Sequence, residues 1–118
     1  MRRFVTMMSA ALAVLALSTG AWAAGDMVVT PAQIEAAKTP ADHEAIAAAY
    51  DREAAQLEAQ AKEHEAMAKA YLSPGVKKGV ETSAMHAHCA KLAKQYSEAA
   101  KENRDLAAEH RKMAAAAK

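Results

Sequence analysis

The chain has 118 residues, 15 Lys and Arg against 14 Asp and Glu, a single Cys and a formal charge of +1. Near-neutral, sign-mixed charge gives no basic surface for nucleic acid, and one Cys excludes an intrachain disulfide framework. Only 4% of the residues are aromatic, so any core has to be built mainly from Ala, Leu, Met and a few Tyr.

The N-terminus reads as a cleavable secretory signal over residues 1–23. Arg2 and Arg3 precede an apolar run from Phe4 to Leu17, Ser18-Thr19-Gly20 interrupts it, and Ala21-Trp22-Ala23 sets small residues before a cleavage point near Ala23-Ala24. The run is shorter than the roughly 20 apolar residues of a membrane span, and this order of segments is the one export requires. No Cys follows the run to accept a lipid, and two arginines are too few for a twin-arginine leader. The expected location is therefore periplasmic or secreted, with no membrane span in the mature chain. Loss of Arg2 and Arg3 with the leader lowers the formal charge by two, to −1.

Residues 24–39 form a lead and a short helix. Thr30-Pro31-Ala32-Gln33 and Thr39-Pro40-Ala41-Asp42 are one device used twice, Thr as N-cap, Pro at N1, and Gln or Asp closing a capping box. They predict a helix near Pro31–Lys38 and the start of a long one at Pro40. Helix formers then continue to about Leu72, Ser73-Pro74-Gly75 stops them, and Gly79 ends the turn. Thr82 or Ser83 is the predicted cap of a second long helix that meets no Pro or Gly before the C-terminus. Two helices, each on the order of 50 Å long, around one short connection predict an antiparallel hairpin over residues 40–118, an all-α fold. Glu58/Lys62 and Glu65/Lys69 are favourable pairs four residues apart on the first of them.

Both helices carry a heptad seam. In the first, His43, Ala47, Tyr50, Ala54, Leu57, Ala61, His64, Ala68 and Tyr71 alternate in steps of four and three. In the second, Met85, Cys89, Leu92, Tyr96, Ala99, Asn103, Leu106, His110 and Met113 do the same. A 3.5-residue period means nearly parallel axes and coiled-coil packing. Centring the turn between Val76 and Lys77 sets Tyr71 beside Thr82, Ala68 by Met85, His64 by Cys89, Ala61 by Leu92, Leu57 by Tyr96, Ala54 by Ala99, Tyr50 by Asn103, Ala47 by Leu106 and His43 by His110. Small residues then mostly face large ones. Ala55, Ala66, Ala70, Ala90, Ala93, Ala100 and Ala107 flank the seams as a second small-residue surface. So little bulk in two helices predicts a homodimeric four-helix bundle, or the short N-terminal helix folding back as a third.

One constellation could carry chemistry. His86, His88 and Cys89 follow Met85 within one turn, and the register brings His64 across to Cys89. Imidazole, thiolate and thioether suit Cu(I) and, less specifically, Zn(II). The expected site is His64, His86 and Cys89 with Met85 or His88 as fourth ligand. The bland alternative is an inert buried Cys with ordinary seam-flanking histidines, and it carries more weight because no strict metal motif is present. Neighbouring histidines could also favour the Cys89 thiolate, and a redox-sensitive dimer linked through Cys89 is a further expectation. His43 and His110 form a second polar layer at the open end, where solvated histidines are the ordinary reading. No Cys-x-x-Cys, no haem-attachment sequence, no inward Glu-x-x-His pair and no convergent carboxylates occur. The functional expectation is an exported, non-catalytic helical protein of the envelope that assembles with itself or an envelope partner. The alternatives are a periplasmic copper- or zinc-binding protein and a thiol-linked dimer.

Overall fold

The structure, a computed structural model, describes residues 29–117. The leader and cleavage point expected over residues 1–24 lie outside these residues. Three helices follow in order: α1 (Pro31–Ala36), α2 (Pro40–Tyr71) and α3 (Val80–Ala116). Among the described residues there is no strand and no helix long and apolar enough to cross a membrane.

Both Thr-Pro devices act as read. The Thr30 hydroxyl accepts from the Gln33 N–H at 3.3 Å and the Gln33 side chain accepts from the Thr30 N–H at 2.8 Å. At α2, the Thr39 hydroxyl accepts from the Asp42 N–H at 3.1 Å, while the Asp42 carboxylate accepts from the N–H groups of Lys38 and Thr39 at 3.0 and 2.9 Å. Those bonds, led by that from Lys38, hold the Asp42 carboxyl below the usual carboxylate range. Asp42 thus secures the donors that the start of α2 leaves unpaired and opposes the positive end of its dipole.

At the other end of α2 the Lys78 ammonium donates to the carbonyls of Leu72 and Ser73, placing a cation on the negative end of the helix. The α3 start corrects the expected cap. The helix begins at Val80 with Gly79 as N-cap and no side-chain cap bond. Thr82 lies inside the first turn instead, and its hydroxyl donates back to the Lys77 carbonyl at 2.8 Å.

α2 and α3 pack along their length as an antiparallel pair, and no other pair of described helices packs extensively. The α2 seam is the predicted one. Ala47, Ala54, Ala61 and Ala68 are buried at seven-residue intervals, and His43, Tyr50, Leu57, His64 and Tyr71 are half-buried beside them. The α3 seam is corrected by one residue. Cys89, Tyr96, Asn103 and His110 face inward as expected, but the alternate positions are His86, Ala93, Ala100, Ala107 and Ala114. Met85, Leu92, Leu106 and Met113, assigned inward by the sequence, are 44, 37, 44 and 48% exposed.

The reason is steric. Two contacts anchor the register: the His86 ring nitrogen Nδ1 reaches the Ala68 carbonyl at 2.8 Å, and His43 meets His110 at 3.2 Å. Counting heptads from them sets Ala61 opposite Ala93, Ala54 opposite Ala100 and Ala47 opposite Ala107. Small faces small, rather than large, so the helices approach closely on that side of the seam. Leu92 or Leu106 in the same layers would wedge them apart. The larger rings and Leu57 fill the other side.

Charged groups tie the rims at the same seven-residue spacing. Arg104 binds Glu58, and Arg111 binds Asp51 at 2.6 Å and lies 3.8 Å from Glu44. Glu58, assigned to Lys62 along its own helix, thus reaches across the hairpin. Each pair is half-exposed and contributes little alone, but together they favour the observed register. α1 does not run along the hairpin as a third helix. It leans on the start of α2, where Val29, Gln33 and Ala37 line a groove of about 810 Å³ with Ile46, Ala49 and Arg52.

Candidate functional site

The five residues singled out around Cys89 are distributed over different surfaces. Cys89 is buried at 9% exposure in the α2–α3 seam. His64 enters the same region from α2, but its ring stacks on Tyr96, with centroids 5.2 Å apart and planes 15° off parallel. Nδ1 of His64 is buried without a hydrogen-bond partner. His86 points into the seam and spends Nδ1 on the Ala68 carbonyl, which fixes its ring against α2. His88 is exposed, and Met85 belongs to the outer face of α3. The structure therefore brings His64, His86 and Cys89 to one end of the seam and leaves Met85 and His88 outside it. Among the described residues, no three His, Cys, Asp or Glu side chains converge tightly enough to hold an ion.

Burial decides how the thiol behaves. Cys89 has no access to a second chain unless the hairpin opens, so a disulfide between copies requires local separation of α2 and α3. Modification of Cys89 by a small aromatic disulfide reagent is expected to be much slower in the folded protein than in denaturant. Equal rates in the two conditions would contradict the burial of the thiol.

The open end of the hairpin holds a closer pairing. His43 of α2 and His110 of α3 set Nδ1 against Nδ1 at 3.2 Å, with ring centroids 5.4 Å apart. The Tyr50 ring also lies against His110, with centroids 5.8 Å apart and planes 31° off parallel. His110 is only 7% exposed, the one buried polar side chain among the described residues. Burial, and secondarily the neighbouring His43, hold its pKa below the ordinary histidine value of 6.5. Sequence periodicity set these two residues in one layer, but their contact could not be told from two solvated histidines at a frayed end.

The outer face of α3 is the third feature. Met85, Leu92, Leu106 and Met113 recur at heptad spacing, with Ala99 in the remaining position, and form one apolar ridge beside the seam. The ridge reads the same in either direction: Met, Leu, Ala, Leu, Met.

The chain matches no protein family, no curated protein and no solved structure. Its function is accordingly read from its own residues.

Proposed function

We propose that this chain is an exported, non-catalytic assembly protein of the cell envelope whose hairpin pairs with a second copy through the outer ridge of α3. The exposed, symmetric Met-Leu-Ala-Leu-Met ridge carries this reading. A two-fold axis through Ala99 aligns two antiparallel copies of α3 so that Met85 meets Met113 and Leu92 meets Leu106 from either side, the self-complementary contact of a symmetric dimer. The same alignment sets Lys91 of one copy beside Asp105 of the other. Glu98 approaches its own counterpart at the axis, and Lys94, 3.9 Å from Glu98 in the same chain, offsets that repulsion. Four long helices would then enclose the ridge in a bundle. The export component rests on the leader sequence over residues 1–23.

Sedimentation of the purified chain tests the assembly. A dimer at micromolar concentration is expected, converted to a monomer of unchanged helicity by Leu92→Glu with Leu106→Glu. The reading fails if the wild-type chain is monomeric at that concentration, or if the double variant still associates.

One observation favours a second reading, the unpartnered Nδ1 of His64 in the layer of Cys89. A soft ion, copper or zinc, on His64 and Cys89 would supply the missing partner, with His86 as third ligand once its ring leaves the Ala68 carbonyl. Metal retained by the wild-type chain and lost in both Cys89→Ser and His64→Gln would support it. Equal retention in the variants would remove it.

A further inference from the structure

We propose that His43 and His110 form a bidentate site for a divalent transition-metal ion at the open end of the hairpin. This proposal is independent of the assembly reading and of the Cys89 layer, which lies about 30 Å away along α3 at the rise of an α-helix.

The geometry carries it. The two Nδ1 atoms are 3.2 Å apart, and with metal–nitrogen bonds of about 2.0–2.1 Å that separation subtends an angle of about 100–106° at the ion. The angle is close to tetrahedral. A linear two-coordinate ion would need its nitrogens about 4 Å apart by the same bond lengths, so Cu(I) held by these two rings alone does not fit. Imidazole nitrogen suits Zn(II), Ni(II), Co(II) and Cu(II), and the near-tetrahedral angle favours Zn(II) and Co(II) among them.

The surroundings fit the same chemistry. The 3.2 Å contact is itself a hydrogen bond in which one Nδ1 carries a proton; ion uptake requires that ring to shift its proton to Nε2 through solvent, leaving both Nδ1 lone pairs to face the ion. The contact of Tyr50 with His110 and the packing of the seam hold one ring in place, and the Thr39-capped start of α2 positions the other. From α2 the neighbouring charged or titratable groups are Asp42, whose carboxylate is engaged by the N–H groups of Lys38 and Thr39, and Glu44, Tyr50 and Asp51. From α3 they are Glu109 and Arg111, of which Arg111 is engaged by Asp51 and Glu44 and Glu109 by Lys112. No carboxylate is thereby drawn onto the two nitrogens, and two positions on the ion stay open to water or to a small anionic or nitrogenous ligand. An open shell of this kind suits reversible binding rather than a closed structural site.

The test uses the purified full chain with Zn(II) or Co(II) as probe. Expected are one Zn(II) per chain by calorimetric titration and, with Co(II), the visible d–d absorption of tetrahedral coordination. His43 is half-buried, so His43→Gln leaves the hairpin folded by circular dichroism. Changes in residues that merely support a ligand already cost about 10–100-fold in affinity, and loss of one of only two ligands is expected to exceed that. Cys89→Ser is expected to bind as wild type. The proposal is overturned if the wild-type chain binds neither ion at micromolar concentration, if His43→Gln binds undiminished, or if Cys89→Ser abolishes binding.

Discussion

Ala100→Leu is expected to cost about 1–3 kcal/mol of stability, the usual penalty of overpacking a tight interior. Ala100 is 1% exposed and the register sets it opposite Ala54, at 0%. A leucine there has no volume to enter, and the added carbons must push α2 and α3 apart along neighbouring layers. For a domain of this size the melting temperature would fall by roughly 4–8 °C for each kcal/mol. Ala108→Leu, on the exposed face of the same helix turn, is expected to stay within about 0.5 kcal/mol of wild type. The converse substitution separates the two possible seams. Leu106→Ala, measured at dilution so that association does not contribute, is expected to cost well below the roughly 2–5 kcal/mol of a buried leucine. Urea unfolding followed by helicity checks all three, and a neutral Ala100→Leu beside a costly Leu106→Ala would reverse the assignment of the faces.

Acid is expected to weaken the hairpin through His110. Its folded-state pKa lies below 6.5, because burial and the adjacent His43 disfavour its charged form. The unfolded chain therefore binds a proton more readily than the folded one below that pH. The contribution of the neutral, buried ring is complete above about pH 6.5, the ordinary histidine value, and is lost as the pH falls from there through the depressed value. Among the groups facing the pair, Arg111 is held by Asp51 and Glu44. Asp42 has the same sign of dependence but acts lower, as the pH falls below the ordinary carboxylate range. Denaturation midpoints between pH 7 and 5 should fall in the wild type, and the slope should flatten in His110→Leu. An unchanged slope in that variant would mean that His110 is not the responsible group.

Most of the architecture was legible because local chemistry and periodicity agree. Thr30 and Thr39 announce helix starts through cap bonds that need only three following residues, and Pro74 with Gly75 announces the stop. The His43–His110 layer followed from reflecting the chain about Val76 and Lys77, because a heptad repeat in both helices conserves register over their whole length. The inward face of α3 was misread for an energetic reason. Leu92 and Leu106 are the larger apolar residues, and hydrophobicity alone turns them inward. Ala93, Ala100 and Ala107 win those positions because α2 offers alanines at the same interval, and close helix approach over several layers outweighs burial of isolated leucines. The candidate sites were legible only as positions. Whether His86 faces Ala68 or a metal, and whether His43 touches His110, depends on rotation of α3 by one residue, which composition does not encode. The Gly79 cap was missed because Thr82 and Ser83 are stronger capping residues, yet the turn is short enough that the helix begins before them.

Alanine-methyl contacts in a nuclear Overhauser spectrum of the purified, methyl-labelled chain test the packing of the hairpin most directly. Cross-peaks between Ala54 and Ala100 and between Ala61 and Ala93 are expected. Cross-peaks from the Leu92 methyls to Ala61 and from the Leu106 methyls to Ala47, with none between Ala54 and Ala100 or between Ala61 and Ala93, would contradict this packing.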